Sequence, residues 1–542
     1  MAKKIIEAIN NTKVTFSQWI AVFLGVIFVR ILLENLSSPS WTGIIASDAP
    51  TIVHYYLFFL GVTLSLILIL NFIGKKAIEM EKIALFVLPL TWIAPIIDLV
   101  ISRGQGFTMG YPFQDSLSGL GGMFAAFFGP TLSSGITPGI KNEIFALMYG
   151  SALFVFLSTK KIWRAIAAYF ATYAVIFWWG AFPSIIKIAH DWFVANPVIR
   201  TTAQFFTEST SASIIARNFL HPTLHLSYLR NAEMLFNGAI SQIYFLTIFL
   251  LFALYIFLEH RNVGVAVLRN SRPRRLAYYY IMLLGGFLLS GAIFSPATNF
   301  NWIDAVSVIV LFLTYYCVWM FAVGLNDLAD VEADKISNPG RPLVRGTLAV
   351  PDVKSANLFF LISALVGGFL VGHYIFFMVC AALAISYIYS LPPLRLKSIP
   401  LVSTFVLSLA ALSTVMSGFY TLSIVQGIRS FPMQYAALII IALTLGLNVK
   451  DLKDADGDKR DGTLTLPVLF GEKNGKRIVG TLVACGFLIV PVLFPGPGSL
   501  AISAPAAIAA YLLINRRRYA EWTVFLLFYL YAAAAVILSF LG

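Results

Sequence analysis

Acidic side chains are scarce in this chain. Only 25 of its 542 residues are Asp or Glu, and charged residues of both signs amount to 12%. A soluble domain carries about 25% charged residues, so a globule surrounded by water is excluded. Cysteine is nearly absent as well. Cys317, Cys380 and Cys485 fall inside apolar runs, without metal-ligand spacing. They read as small apolar fillers and carry no redox information. Of the few histidines, His221 and His225 have the i, i+4 spacing that holds a metal on a helix. Pro222 between them and the lack of an acidic neighbour favour an ordinary loop pair.

What the chain has in quantity is hydrocarbon: 59% hydrophobic residues and a mean hydropathy of +0.84. A bilayer-spanning helix needs roughly 20 mostly apolar residues. Runs of that kind lie near 17–35, 52–73, 83–101, 142–158, 163–184, 238–259, 276–295, 302–325, 355–372, 374–390, 400–420, 433–450, 478–494, 498–514 and 521–541. The expected fold is therefore all-α, a polytopic transmembrane helix bundle of about fifteen spans. The first run lacks an A-x-A cleavage site, which favours a retained first span over a cleaved signal peptide.

Lys and Arg alternate in density from loop to loop. With a cytoplasmic N-terminus, the inside segments hold Lys3, Lys4, Lys13, Lys75, Lys76, Lys160, Lys161, the run Arg261 to Arg275, Lys335, Arg341, Arg395, Lys397 and Arg516–Arg518. The outside segments keep a scatter such as Arg103, Lys187 and Arg429. This is the positive-inside bias. It accounts for the net charge of +13 through contact with anionic headgroups, so nucleic acid is not an expected partner. The expected location is the cell (inner) membrane. The basic segment 261–275 marks an internal boundary, with six spans in 1–260 and nine in 276–542. The first part offers one intramembrane carboxylate, Asp98, a functional candidate by default. The ordinary reading places it at the outer headgroup boundary near Arg103.

The few acidic residues are not spread evenly. Asn326 to Asp334 and Asp451 to Asp458 together hold eight of the 25, nine with Asp461. Each patch directly follows an apolar run, and both fall on the expected cytoplasmic side. On a helix, Asn326, Asp330 and Asp334 run i, i+4, i+8, and Asp451, Asp454 and Asp458 run i, i+3, i+7, so each set forms one stripe of oxygen ligands. Asp327 adjoins the first stripe. Stacked like charges repel, and magnesium relieves that repulsion while leaving positions for phosphate oxygens. A pair of solvated acidic loops is the plain alternative. Two stripes with basic companions argue against it. The companions are Arg341, Arg395, Lys397 and Lys450, cations suited to non-bridging diphosphate oxygens.

At these residues the sequence resembles the UbiA superfamily of intramembrane prenyltransferases. The N-D-x-x-D-x-x-x-D pattern is matched by Asn326, Asp327, Asp330 and Asp334. The D-x-x-D-x-x-G-D pattern is matched by Asp451, Asp454, Gly457 and Asp458. The stretch Tyr389-Ser390-Leu391-Pro392-Pro393-Leu394-Arg395-Leu396-Lys397 also resembles the family. The likeness covers about 265–542 and leaves the first half unrecognised. It implies a nine-helix fold and Mg2+ held by Asn326, Asp327, Asp330, Asp334, Asp451, Asp454 and Asp458, with Asp330 and Asp454 essential to catalysis. It further implies transfer of a polyprenyl group from its diphosphate to a lipid or aromatic acceptor. One departure stands out: where the family commonly has R-P-x-x-S-G, this chain has Arg341-Pro342-Leu343-Val344-Arg345-Gly346. Two other readings remain. One is a non-catalytic polyprenyl-lipid-binding scaffold. The other is a transporter, which would want polar residues deep in the spans of 276–541, where they are nearly absent.

Overall fold

The computed structural model describes residues 11–37, 48–74, 80–105, 107, 110–130, 132, 135–194, 200–213, 215, 228–294, 300–422, 428–517 and 519–541, apart from the side chains of 228–232, 336–337, 428, 454, 456, 458, 460–461 and 536–541. Helices account for nearly all regular structure in them. Fourteen are long and apolar enough to cross a bilayer, and the protein is an integral membrane protein. The fifteenth expected span falls on helix Glu521–Leu541, whose stretch Glu521–Ala535 counts as a shorter apolar helix. His221 and His225 lie outside the described residues.

The chain divides into two compact units, Met1–Arg261 with Thr298–Val310, and Asn262–Ala297 with Leu311–Gly542. The first unit contains α1 (Phe16–Ser37), α2 (Ala49–Gly74), α3 (Met80–Val87), α4 (Ile93–Ile101), α5 (Leu117–Ala126), α6 (Pro138–Thr159), α7 (Ile162–Gly180), α8 (Phe182–Phe193), α9 (Thr202–Ala212) and α10 (Tyr228–Glu259). Within it α2 packs on α7 and α10, and α6 packs on α4 and α7. The connections expected as loops at 103–140 and 185–236 carry α5 and α9, and α10 begins ten residues before the expected span. α5 and α9, of 10 and 11 residues, are about half the length of a spanning run, and α9 is polar enough (Thr207, Glu208, Ser209, Thr210, Ser211) to escape a hydropathy search.

Asp98 is buried within this unit. Its carboxylate accepts from the Gly139 N–H at 2.6 Å and from the Thr137 hydroxyl. It therefore holds the first turn of α6, where backbone N–H groups have no partner within the helix. A Cβ on Gly139 would stand 2.0 Å from the Ala94 carbonyl oxygen, so glycine permits the close crossing of α4 and α6.

The second unit contains α11 (Arg261–Arg269), α12 (Pro273–Phe294), α13 (Trp302–Ala329), α14 (Val331–Ser337), α15 (Val350–Val371), α16 (His373–Ser390), α17 (Val402–Leu422), α18 (Met433–Gly446), α19 (Asp451–Asp461), α20 (Leu466–Leu493), α21 (Pro497–Ile514) and α22 (Glu521–Leu541), apart from the first turns of α13. The basic segment is helical and packed: Ala266 of α11 buries against Leu348 and Val353. The tightest crossing is α12 on α17. A Cβ on Gly286 would meet the Val415 carbonyl oxygen at 2.1 Å, and one on Gly418 the Leu283 carbonyl oxygen at 2.1 Å. Small residues let membrane helices approach and gain dispersion contacts. Gly418→Leu is expected to destabilise the second unit by about 1–3 kcal/mol through overpacking, read as a lower thermal midpoint in detergent.

Candidate functional site

The site is built where α13 ends. The apolar run of α13 stops at Ala329, Asp330 leaves helical geometry (φ −111°, ψ 18°), and α14 begins at Val331. The expected single stripe is therefore broken at its centre. Hydrogen bonding nevertheless continues through the break. Asp330 N–H donates to the Asn326 carbonyl at 3.0 Å, and Asp334 N–H donates to the Asp330 carbonyl at 2.8 Å. The i, i+4, i+8 residues thus remain on successive turns despite the kink.

The second acidic segment forms α19, reached from α18 through a short 3-10 turn, Leu447–Lys450. α14 packs against α19, which brings the two segments, far apart in sequence, side by side. Asp451 is buried. The side chains of Asp454 and Asp458 lie outside the described residues; their backbone belongs to α19.

Cations from three further segments close around the first carboxylates. Arg341 Nη1 donates to Asp327 Oδ1 at 3.0 Å and also to Asp334. Lys397 pairs with Asp330, and Arg395 Nη2 reaches the same oxygen at 3.4 Å. Arg395 sits in the left-handed region (φ 40°), an uncommon conformation for a side chain of this size and one typical of functional sites. Lys450 donates to the Tyr389 hydroxyl at 2.8 Å and lies over that ring at 5.3 Å. Asn326 is partly buried on the last turn of α13, among the same elements. Glu332 is exposed and pairs with Lys335 at 2.7 Å, and Arg345 is exposed.

Two members of the site lay outside the sequence motifs. Asn270 Nδ2 donates to Asp327 Oδ2 at 2.6 Å, and Arg272 donates to Asp327 Oδ1. Both come from the turn after α11, which Trp319 fixes by donating its indole N–H to the Ser271 carbonyl at 2.6 Å. The signal for them was the density of Arg between 269 and 275, which topology alone was enough to explain. Burial pulls the Arg272 guanidinium below its ordinary range, against the pull of Asp327. Burial also raises Asp334, and Asp330 and Asp327 add to the rise, while Arg341 and Asn338 oppose it.

The donor set suits a hard cation. It consists of carboxylate and amide oxygens only, the preference of magnesium. Among the described residues no three acidic, histidine or cysteine side chains converge as a ready metal cluster, and the carboxylates face Arg and Lys instead. Asp334 nevertheless stays raised despite Arg341, so its charge is incompletely compensated where it is buried. An additional positive charge would relieve that deficit.

Residues 283–533 match the family model of the UbiA prenyltransferase family. That stretch, just under half of the chain, is its UbiA-family part. The UbiA-family half is 28% identical over 273 residues to 2-acyl-4-prenylphloroglucinol 6-prenyltransferase of Humulus lupulus, covering 47% of this chain and 62% of that protein. It is 29% identical to chlorophyll synthase of Arabidopsis thaliana over 33% of this chain and 49% of that protein. It is 26% identical to digeranylgeranylglyceryl phosphate synthase of Methanococcus aeolicus over 42% and 77%. The chain thus spans about half to two-thirds of the length of the first two relatives. A solved structure of a UbiA homolog from Archaeoglobus fulgidus bound to GPP and Mg2+ is 20% identical, with a TM-score of 0.39, covering 50% of this chain and 98% of that one.

Proposed function

We propose that the UbiA-family half transfers a polyprenyl group, within the membrane, from an allylic polyprenyl diphosphate to a lipid or aromatic acceptor, with magnesium as cofactor. The observation that carries the reading is the packing of α14 on α19 beneath a collar of cations. It gathers carboxylates and phosphate-binding groups in one place at the ends of apolar helices. The relatives, a 2-acyl-4-prenylphloroglucinol 6-prenyltransferase, a chlorophyll synthase and a digeranylgeranylglyceryl phosphate synthase, support prenyl transfer and do not agree on one acceptor.

In this reading Asn326, Asp327, Asp330, Asp334, Asp451, Asp454 and Asp458 hold the metal. When bound, magnesium supplies Lewis-acid stabilisation of the departing diphosphate. Arg341, Arg395, Lys397 and Lys450 turn from their present partners toward the non-bridging oxygens, and Arg272 joins them. The C1–O bond breaks with its electron pair on the diphosphate. The acceptor nucleophile then bonds to C1 and loses a proton. Tyr279 lies 5.4 Å from Trp319 and 6.4 Å from Tyr315, which offers ring faces of the kind that stabilise a carbocation. The basic loops give the proposed orientation, with the N-terminus and both acidic segments cytoplasmic, and the proposed modules are 1–260 and 276–542.

The test is incubation of purified protein with radiolabelled geranylgeranyl diphosphate, magnesium and a panel of acceptors, followed by lipid extraction. A labelled product that disappears on chelation is the expected result. No consumption of donor at any chain length would favour a non-catalytic polyprenyl-lipid-binding or transport role.

A further inference from the structure

The first unit contains a cavity of about 530 Å3 that the prenyl-transfer reading does not use. Its wall follows one face of α2 at three- and four-residue steps, from Thr51 through Tyr55, Phe59, Val62 and Leu66 to Leu70. At 1.5 Å per residue that face is about 28 Å long, close to the hydrocarbon thickness of a bilayer, about 30 Å. The two ends differ in chemistry. Around Leu70 the wall is carbon, from Met80, Ile83, Ala84 and Phe154. Around Thr51 to Phe59 it is polar, from Arg30, Glu34, His54, Tyr111, Glu143 and Asn237.

The polar end is a built site. Arg30 Nε donates to Glu34 Oε1 at 2.6 Å, and Nη1 donates to Glu143 Oε2 at 2.7 Å and to the Thr91 carbonyl. Arg30, Glu34 and Glu143 are 3%, 6% and 7% exposed. Charges buried this deep in a membrane segment are costly and are functional-site candidates by default. One guanidinium faces two carboxylates, so the cluster carries an excess negative charge. Glu34 Oε2 is itself buried, and the Tyr55 hydroxyl of the same wall interacts with the Glu34 carboxylate, so the cluster closes the polar end of the cavity.

A hydrogen-bond chain fixes the neighbouring groups. Tyr244 donates to the Trp179 carbonyl at 2.9 Å, so its oxygen is free to accept from Tyr111, also at 2.9 Å. The Tyr111 oxygen then accepts from His54 Nε2 at 2.6 Å, and His54 Nδ1 lies 3.0 Å from the Ser241 hydroxyl. His54 is buried among neutral hydroxyls, which favours its uncharged form over a cation for an anionic headgroup.

We infer that this cavity holds a neutral single-chain amphiphile, its hydroxyl head at the polar end beside Tyr55 and the Arg30–Glu34–Glu143 cluster and its hydrocarbon chain lying along α2 toward Leu70. A phosphate head would meet Glu34 and Glu143 without a free cation. The chemistry shared by isoprenoid and straight-chain alcohols satisfies the site, and the inference does not depend on the prenyl-transfer reading.

The test uses the full-length protein in detergent and a diazirine-bearing geranylgeraniol probe, with cross-linked peptides mapped by mass spectrometry. Labelling is expected in α2 and α6, displaced by excess unlabelled geranylgeraniol or octadecanol; the better competitor names the chain type. Leu66→Trp, which fills the chain channel, and Glu34→Gln, which unbalances the ion cluster that shapes the polar end, are each expected to lower the labelling about tenfold. Labelling in wild-type protein that neither alcohol displaces would overturn the inference, whatever the variants do. Equal labelling of these helices by the corresponding monophosphate probe would overturn the neutral head.

Discussion

Asp330→Ala is expected to lower prenyl transfer by about a thousandfold or more, while the protein still inserts and elutes as the wild type does. The backbone at this position does not depend on its side chain. The bonds from Asp330 N–H to Asn326 and from Asp334 N–H to the Asp330 carbonyl hold the junction of α13 and α14. What the substitution removes is the carboxylate that Lys397 and Arg395 now share. Both cations would lose this competing carboxylate, so the apparent affinity for donor should fall much less than kcat. Asp330→Asn separates shape from charge, and it should be nearly as inactive as the alanine variant. Asp454→Ala is expected to act in the same direction, on the strength of its i, i+3, i+7 spacing with Asp451 and Asp458. Turnover near the wild-type rate in Asp330→Asn would remove the metal-diphosphate reading of the first stripe.

Arg341→Ala should damage folding as well as chemistry. Arg341 bridges Asp327 and Asp334, two carboxylates only 3% and 4% exposed. Removing the shared partner leaves Asp334 with Asn338 at 3.1 Å and leaves Asp327 with Arg272 and Asn270. An uncompensated buried carboxylate of this kind costs about 3 kcal/mol or more. A clear drop in the thermal midpoint is therefore expected alongside lost activity. Arg341→Lys keeps one charge but cannot span both carboxylates with a planar fork. It should recover part of the stability and little of the turnover. Magnesium together with a non-hydrolysable diphosphate should raise the midpoint of the wild type and much less that of Arg341→Ala. If Arg341→Ala unfolds like the wild type, the salt-bridge geometry does not carry the load assigned to it here.

The sequence alone located fourteen helices long and apolar enough to cross a bilayer and showed where the acidic chemistry lies. Span length follows from bilayer thickness, and hydropathy over about 20 residues reports it directly. Asn326, Asp330 and Asp334 were legible because helical spacing is a local property. Tertiary structure alone decided what lies beside them. That α14 packs on α19, that Asn270 and Arg272 close on Asp327, and that Asp330 breaks the helix all depend on contacts between segments distant in the chain. A basic residue placed for topology and one placed for phosphate look the same in sequence. The first unit makes the same point. Asp98 reads from sequence as a headgroup residue and is buried against Thr137 and Gly139. Arg30, Glu34 and Glu143 are unremarked charges at spacings of four and 109 residues, joined only when α1 and α6 come together around one cavity. Periodicity encodes what a helix presents along its own axis; only packing decides which presented groups share a site.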